Sequence, residues 1–249
     1  MQVLIVHCHP DPSSFNGAMT RITRECLAST GHAVALSDLY AQGFDPVEHS
    51  RHYEAPTNSA VFQPLTEQRY AFESEQLAPD VRREVDKLKA ADLVIFQFPL
   101  WWHGMPAMLK GWFDRVFVYG GIYNGERRFD RGMLQGKRAL YSFTTGGPAE
   151  TFSPLGRSGD IAKLIWPLHC SLYYVGFDVL PPHPIYGVQG GGLQYQAADA
   201  FRKRLKEEKH RWKDRLTGLF EEMPIPFTGW SDWNEAGILT DSHPLRWRG

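Results

Sequence analysis

The amino-acid order predicts an α/β protein with a doubly wound, five-stranded parallel sheet and helices on both faces. Apolar runs without alternation recur along the chain, as strands buried on both faces do. Segments of helical period separate them. The first two runs are joined by a stretch that has to cross over as a helix, which a parallel pair requires. With 249 residues, 43% of them hydrophobic, the chain has the material for one large core.

Residues 3–6 (VLIV) read as the first strand. Met19, Ile22, Cys26 and Leu27 share one face of the helix that follows, and Gly31 ends it. Residues 33–36 form the second strand. Residues 41–79 carry several Pro and His and no sustained period, so they read as a functional excursion or a subunit-contact segment. Val81, Val85 and Leu88 restart a helical face, and residues 93–98 form the third strand. Residues 106–116 are helical, with Pro106 suited to the first turn. A fourth strand over 139–143, a helix over 161–166 and a fifth strand over 177–180 follow. Phe201, Leu205, Trp212, Leu216 and Leu219 mark a long last helix, with Leu205 and Trp212 read as core. The main domain is expected over 1–223. Residues 224–249, rich in Pro, Trp and Gly, read as an irregular tail packing on the domain or on a partner subunit.

Composition narrows the function. A net charge of −1 with no basic block argues against nucleic acid as a partner. The N-terminal apolar run is far short of a membrane span, so no membrane insertion is expected. Three cysteines far apart in sequence fit reduced thiols in the cytoplasm. Aromatic content of 13%, with eight Trp, points to a stacking ligand or a large interface.

Ligands of such sheets bind beyond the carboxyl ends of the strands. Three strand ends here carry unusual chemistry: HPDPSSFNG (9–17), FPLWWHG (98–104) and TTGGP (144–148). Ser13, Ser14 and Asn16 precede a helix N-terminus, which suits a phosphate or serves as a plain N-cap. Thr144–Thr145–Gly146–Gly147 lets a planar ligand approach the backbone closely, or simply makes a tight turn. Trp101 and Trp102 form a pocket wall, or seal a sheet end or a dimer contact. There is no G-x-G-x-x-G, Walker or G-x-S-x-G motif, which disfavours a conventional Rossmann NAD site, a P-loop and a serine hydrolase. The HCH run at 7–9 and H-x-x-H at 49–52 lack further ligands, so no metal site is expected.

On these residues the chain resembles the flavodoxin-like NAD(P)H:quinone oxidoreductases, the DT-diaphorase type and its bacterial relatives. LIVHCHPDPSSFNGAM, VFQPLTE, AADLVIFQFPLWWHGMPAMLKGWFDRVF, FTTGG and VGFDVLPP carry the resemblance, in order, to beyond residue 180. It implies a homodimeric flavoprotein that takes a hydride from NAD(P)H and reduces a quinone or similar acceptor by ping-pong kinetics. The flavin would be FAD rather than FMN, bound at the subunit interface. By resemblance, His9, Ser14, Phe15 and Asn16 hold the pyrophosphate and ribityl side, and Gln63 contacts the flavin. Pro99, Leu100, Trp101, Trp102 and His103, with Thr144, Thr145, Gly146 and Gly147, surround the isoalloxazine, with Trp102 the tryptophan packed against the flavin site and Trp101 at an interface. Tyr123 of the partner subunit lines the substrate pocket.

Departures are equally specific. The family's paired Tyr and His fall at Phe152 and Ser158, a second pocket tyrosine falls at Gly125, and position 103 is His rather than Phe. Phe152 therefore stands at a cofactor and substrate position without a hydroxyl. The amides of Gly146 and Gly147 become the first candidates to stabilise charge on the reduced flavin, with His103 beside Trp102 as a second donor or proton source. Alternatives within reach of the same resemblance are an azo-, nitro- or flavin reductase, or a nucleotide-sensing ancillary subunit of a potassium efflux system.

Overall fold

The computed structural model describes residues 1–188 and 196–240. Parallel strands β1 (Gln2–His7), β2 (Ala33–Asp38), β3 (Leu93–Pro99), β4 (Arg138–Thr144) and β5 (Asp178–Val179) lie in the order β2-β1-β3-β4-β5. This doubly wound order places a topological switch point between β1 and β3. A further short strand, β6 (His183–Ile185), pairs with β4 beside Ser142 to Thr144. The fifth strand expected over 177–180 is thus shorter than read, and the edge resumes as β6. Pro181 and Pro182 interrupt it, because proline has no N–H to give the ladder.

Helix α1 (Phe15–Ser29) and α6 (Ala198–Gly218) cover one face, where Met19, Leu27, Trp212 and Leu216 pack on Val3, Ile5, Ile95 and Leu140. On the other face α3 (Pro79–Ala90), α4 (Ala107–Val116) and α5 (Ile161–Tyr174) pack Val85, Trp112 and Leu172 on Phe96, Phe98 and Tyr141. Successive strand residues serve opposite faces, so both cores run the length of the central strands.

The excursion over 41–79 contains a helix, α2 (Pro64–Glu73), that the sequence reading passed over. Its buried face is largely polar, with Glu67 and Gln68 beside Ala71. Glu67 accepts from Thr57 N at 3.0 Å, and Gln68 donates to the Asp114 carbonyl and accepts from Tyr119 N, both at 3.1 Å. Hydrogen bonds replace the apolar stripe, which removes the period by which helices are read. Beyond Pro224 the described chain returns to its own domain. Ile225 N donates to Val179 O at 2.8 Å, and Phe227 stacks on Tyr173 with centroids 4.3 Å apart. Residues 241–249 of the expected tail lie outside the described residues. No described helix is long and apolar enough to cross a membrane.

His169, on α5, is 5% exposed, stacks on Tyr141 and leaves Nε2 without a partner. Burial pushes it down to about 4 from 6.5. The unfolded chain takes up this proton near 6.5 and the folded one does not until about 4. Stability from this group is therefore complete above the upper value and lost as pH falls toward the lower, by roughly 3 kcal/mol at most. Denaturant midpoints should fall between about pH 7 and pH 4.5, and His169→Phe should flatten that slope.

Candidate active site at the carboxyl ends of the strands

A cavity of about 750 Å³ opens at the carboxyl edge of the sheet, where the three singled-out strand ends meet. Its first wall is the β1–α1 loop, with His9, Ser14, Phe15 and Asn16 all on the lining. The loop is tightly built. His9 Nδ1 accepts from Asp11 N at 3.0 Å, and Asp11 accepts from Ser13 N and Oγ, which holds its carboxyl below the usual range. Ser14 is the helix cap, accepting from Gly17 N at 3.1 Å. Gly17 is required by close approach, because an added Cβ would overlap the Pro12 carbonyl. Asn16 turns its side chain inward. Its Nδ2 donates to Thr144 Oγ1 at 2.9 Å and its Oδ1 accepts from Gln97 at 2.8 Å, which rivets the start of α1 to the ends of β3 and β4.

The β4 loop forms the second wall. Thr144, Thr145 and Gly146 line the cavity, and Thr145 Oγ1 donates to Gly147 O at 2.8 Å. Gly187 N and Val188 N donate to Gly147 O and Thr145 O, both at 2.8 Å, so the segment after β6 fixes the loop. No acceptor among the described residues takes the N–H of Gly146 or Gly147. Phe152 lies behind this loop: it is buried, packs against Gly147 and tilts on Tyr186, and it does not reach the lining.

Pro99, Leu100 and Trp101 form the third wall. Trp101 and Gly104 then pair across a two-residue turn with hydrogen bonds of 3.0 Å each way. Trp102 (φ 51) and His103 (φ 62) at its apex both lie in the left-handed region, as in a type I′ turn. Bulky residues held there cost about 1–2 kcal/mol each, a strain that gathers at ligand sites and interfaces. Trp101 therefore takes the wall position expected of Trp102. Trp102 is 98% exposed, and neither it nor His103 lines the cavity of its own chain.

Sequence reading missed the α6 side of the cavity. Phe201, Leu205 and Lys209, with Arg21 of α1 and Val188, complete the lining. Leu205, read as core, faces the cavity instead, while Trp212 is buried as expected. The spacing 201, 205, 209 was a helical stripe at hand in the sequence, but its partner surface was not.

Gln63 and Tyr123 lie elsewhere. Tyr123 lines a second, largely apolar groove of about 820 Å³ with Pro64, Leu65, Phe113, Phe117 and Tyr174, and Gln63 is the residue before Pro64. The strained turn separates the two spaces: Trp101 lines the first, Gly104 and Met105 the second. Among HCH residues, His7 pairs with Thr20 Oγ1 at 2.8 Å and burial lowers its pKa, while Cys8 is buried and pushed up to about 12.

A β2-β1-β3-β4-β5 sheet with its cavity at the switch point, beside a helix N-terminus and without a glycine-rich dinucleotide fingerprint, defines a flavodoxin-like protein. A family profile described as flavodoxin-like fold matches residues 1–212. The chain is 39% identical over 229 residues to the ribosyldihydronicotinamide dehydrogenase [quinone] of Pongo abelii, covering 91% of this chain and 95% of the relative. It is 40% identical over 243 residues to NAD(P)H dehydrogenase [quinone] 1 of Rattus norvegicus, covering 96% and 85%. A solved Klebsiella pneumoniae protein, provisionally assigned as a quinone reductase, superposes with a TM-score of 0.86 at 34% identity, covering 96% and 93%. The chain belongs to the flavodoxin-like NAD(P)H:quinone oxidoreductase family.

Proposed function

We propose that this protein is a flavin-dependent NAD(P)H:quinone oxidoreductase and that the cavity at the strand ends holds FAD. One observation carries the reading: a single cavity joins the amide of Gly146, unpaired among the described residues, a helix N-terminus with two nearby cations, and apolar walls. That is the donor set an amphipathic dinucleotide needs. The N-terminus of α1, with Arg21 and Lys209, would take the phosphates. Leu100 and Trp101 would flank the ring system. Bound there, the flavin would supply the two-electron redox chemistry between nicotinamide and acceptor.

The chain's own part is position and charge. Gly146 and Gly147 present N–H groups where negative charge develops, held in place before the reaction by the bonds from residues 187 and 188. Phe152 offers no hydroxyl, so that duty rests on the amides, with His103 on the turn as a second donor. We assign the second groove to a twofold-related copy. Tyr123 and Gln63 of one chain then complete the cavity of the other, and the exposed Trp102 turn and Leu65, 52% exposed, become interface.

Steady-state kinetics test the reading. NADH, NADPH and ribosyldihydronicotinamide are each varied against a quinone. Parallel double-reciprocal lines are expected, because donor and acceptor use one space in turn. Intersecting lines, or no quinone turnover by flavin-loaded protein, would remove it. A His103→Phe variant in the same assay is expected to lower quinone turnover several-fold with flavin binding retained. Unchanged turnover takes His103 out of the mechanism.

A further inference from the structure

The groove beside Tyr123 contains one feature that a neutral quinone does not explain. Arg128, in the loop before β4, donates from Nη1 to Tyr174 Oη at 3.3 Å. Its guanidinium lies 5.6 Å from the Tyr174 ring centroid, 5.4 Å from Trp230 and 5.9 Å from Phe129. Tyr174 and Tyr123 both line the groove, with their rings 5.4 Å apart. The cation therefore stands directly behind the groove's tyrosine wall.

Among the described residues its side chain has neither an anion nor a carbonyl as partner. The partly buried Arg115 and Arg215 are paired with Asp80 and Glu222, and Arg138 donates to the Leu219 carbonyl. Around Arg128 no carboxylate of the described residues lies within ion-pair distance, and its Nε is buried without a partner. Of the groove's own carboxylates, Asp114 pairs with Lys110, and Glu48 accepts from Gln68 through Oε2 while its Oε1 is buried without a partner. Aromatic faces attract a guanidinium but do not neutralise it. A phenol hydroxyl and three rings hold the fork in place and leave donors for a planar anion.

We propose that Arg128 makes this protein selective for aromatic acceptors carrying an acidic substituent, a carboxylate or sulfonate, which the guanidinium attracts from beside Tyr174 while the ring lies against the groove's apolar wall. The proposal rests on the reading above, in which this groove completes the acceptor site. The apolar walls take the ring and the cation takes the acid group, so the acceptor is an aromatic acid rather than a long-chain lipid quinone.

The test compares 1,2-naphthoquinone-4-sulfonate with 1,2-naphthoquinone in wild type, Arg128→Gln and Arg128→Lys. The ratio of kcat/KM, sulfonated to neutral, is expected to fall roughly tenfold in Arg128→Gln, about 1.4 kcal/mol, and to be largely kept in Arg128→Lys. Added salt should lower the ratio in wild type and not in Arg128→Gln. Because each ratio is internal to one variant, loss of folded protein does not mimic the effect. An equal ratio in wild type and Arg128→Gln overturns the proposal. So does a change confined to the NADPH:NADH ratio, which would give the charge to the donor's phosphate. Calorimetry with naphthalene-2-sulfonate, which is not reduced, separates this from failure of the enzymatic reading. Protein that turns over no quinone but binds the sulfonate about tenfold more weakly as Arg128→Gln keeps Arg128 as an anion site; equal affinities remove it.

Discussion

Replacing Gly17 with alanine is expected to strip the protein of its flavin while leaving the sheet intact. An added Cβ would overlap the Pro12 carbonyl, which is fixed from the other side by Arg21 Nη1 at 2.9 Å. The main chain of residues 9–17 has to move to make room. That shift displaces Ser14 from its cap, turns the N-terminus of α1, and pulls on Asn16, whose bonds to Gln97 and Thr144 tie this loop to the other two walls. Ångström-scale misplacement of a positioned site costs on the order of 100-fold, so the flavin dissociation constant should rise roughly 100-fold, or about 2.7 kcal/mol. Fluorescence titration of flavin into the stripped variant reads this directly. Circular dichroism should show the secondary structure retained, since Gly17 touches neither sheet core. An affinity within about threefold of wild type would mean that the β1–α1 loop does not hold the ligand.

The largest expected loss of stability is at Trp112, which combines volume with a buried polar bond. The side chain is fully buried between Phe96, Phe113 and Phe117, with centroids 5.7, 5.6 and 5.9 Å away. Its Nε1 donates to Glu84 Oε2 at 2.9 Å, and Glu84, 2% exposed, also accepts from Lys87 at 2.7 Å. Trp112→Ala leaves a cavity and an underserved carboxylate, and should cost about 3–5 kcal/mol. At roughly 2–4 °C per kcal/mol for a chain of this size, the melting temperature should fall by roughly 6–20 °C. Trp112→Phe keeps most of the ring and loses the donor, so its cost should be nearer the 1–3 kcal/mol of one unmet buried acceptor. Calorimetric melts of both variants check the order. Equal losses would mean that volume or the hydrogen bond alone carries the effect.

The sheet was legible because its central strands are buried on both faces: VLIV at 3–6 and LVIFQF at 93–98 have no other stable reading as connected elements. The three strand-end loops were legible for a related reason, since Ser14, Trp101 and Gly147 sit where buried runs stop. What stayed hidden depends on tertiary context. Helix α2 buries Glu67 and Gln68, so it has no apolar stripe. The fifth strand is divided by Pro181 and Pro182, and its second half is recognisable only by its pairing with Ser142 to Thr144. In the site, the sequence distinguishes neither Trp101 from Trp102 nor a core stripe from a cavity wall at Leu205. Those choices follow from a left-handed turn at Trp102 and His103 and from the packing of α6 against α1. Gln63 and Tyr123 fall outside the cavity of their own chain, which no spacing in the sequence reveals.

The central claim is that the three strand-end loops form one flavin site, and binding of FAD to the stripped protein tests it most directly. Wild type, Gly17→Ala and Asn16→Ala are titrated with FAD and FMN. Wild type should take up one flavin per chain, FAD more tightly than FMN, with both variants weakened. A protein that binds neither flavin, or binds them equally well with the β1–α1 loop disrupted, would contradict the account.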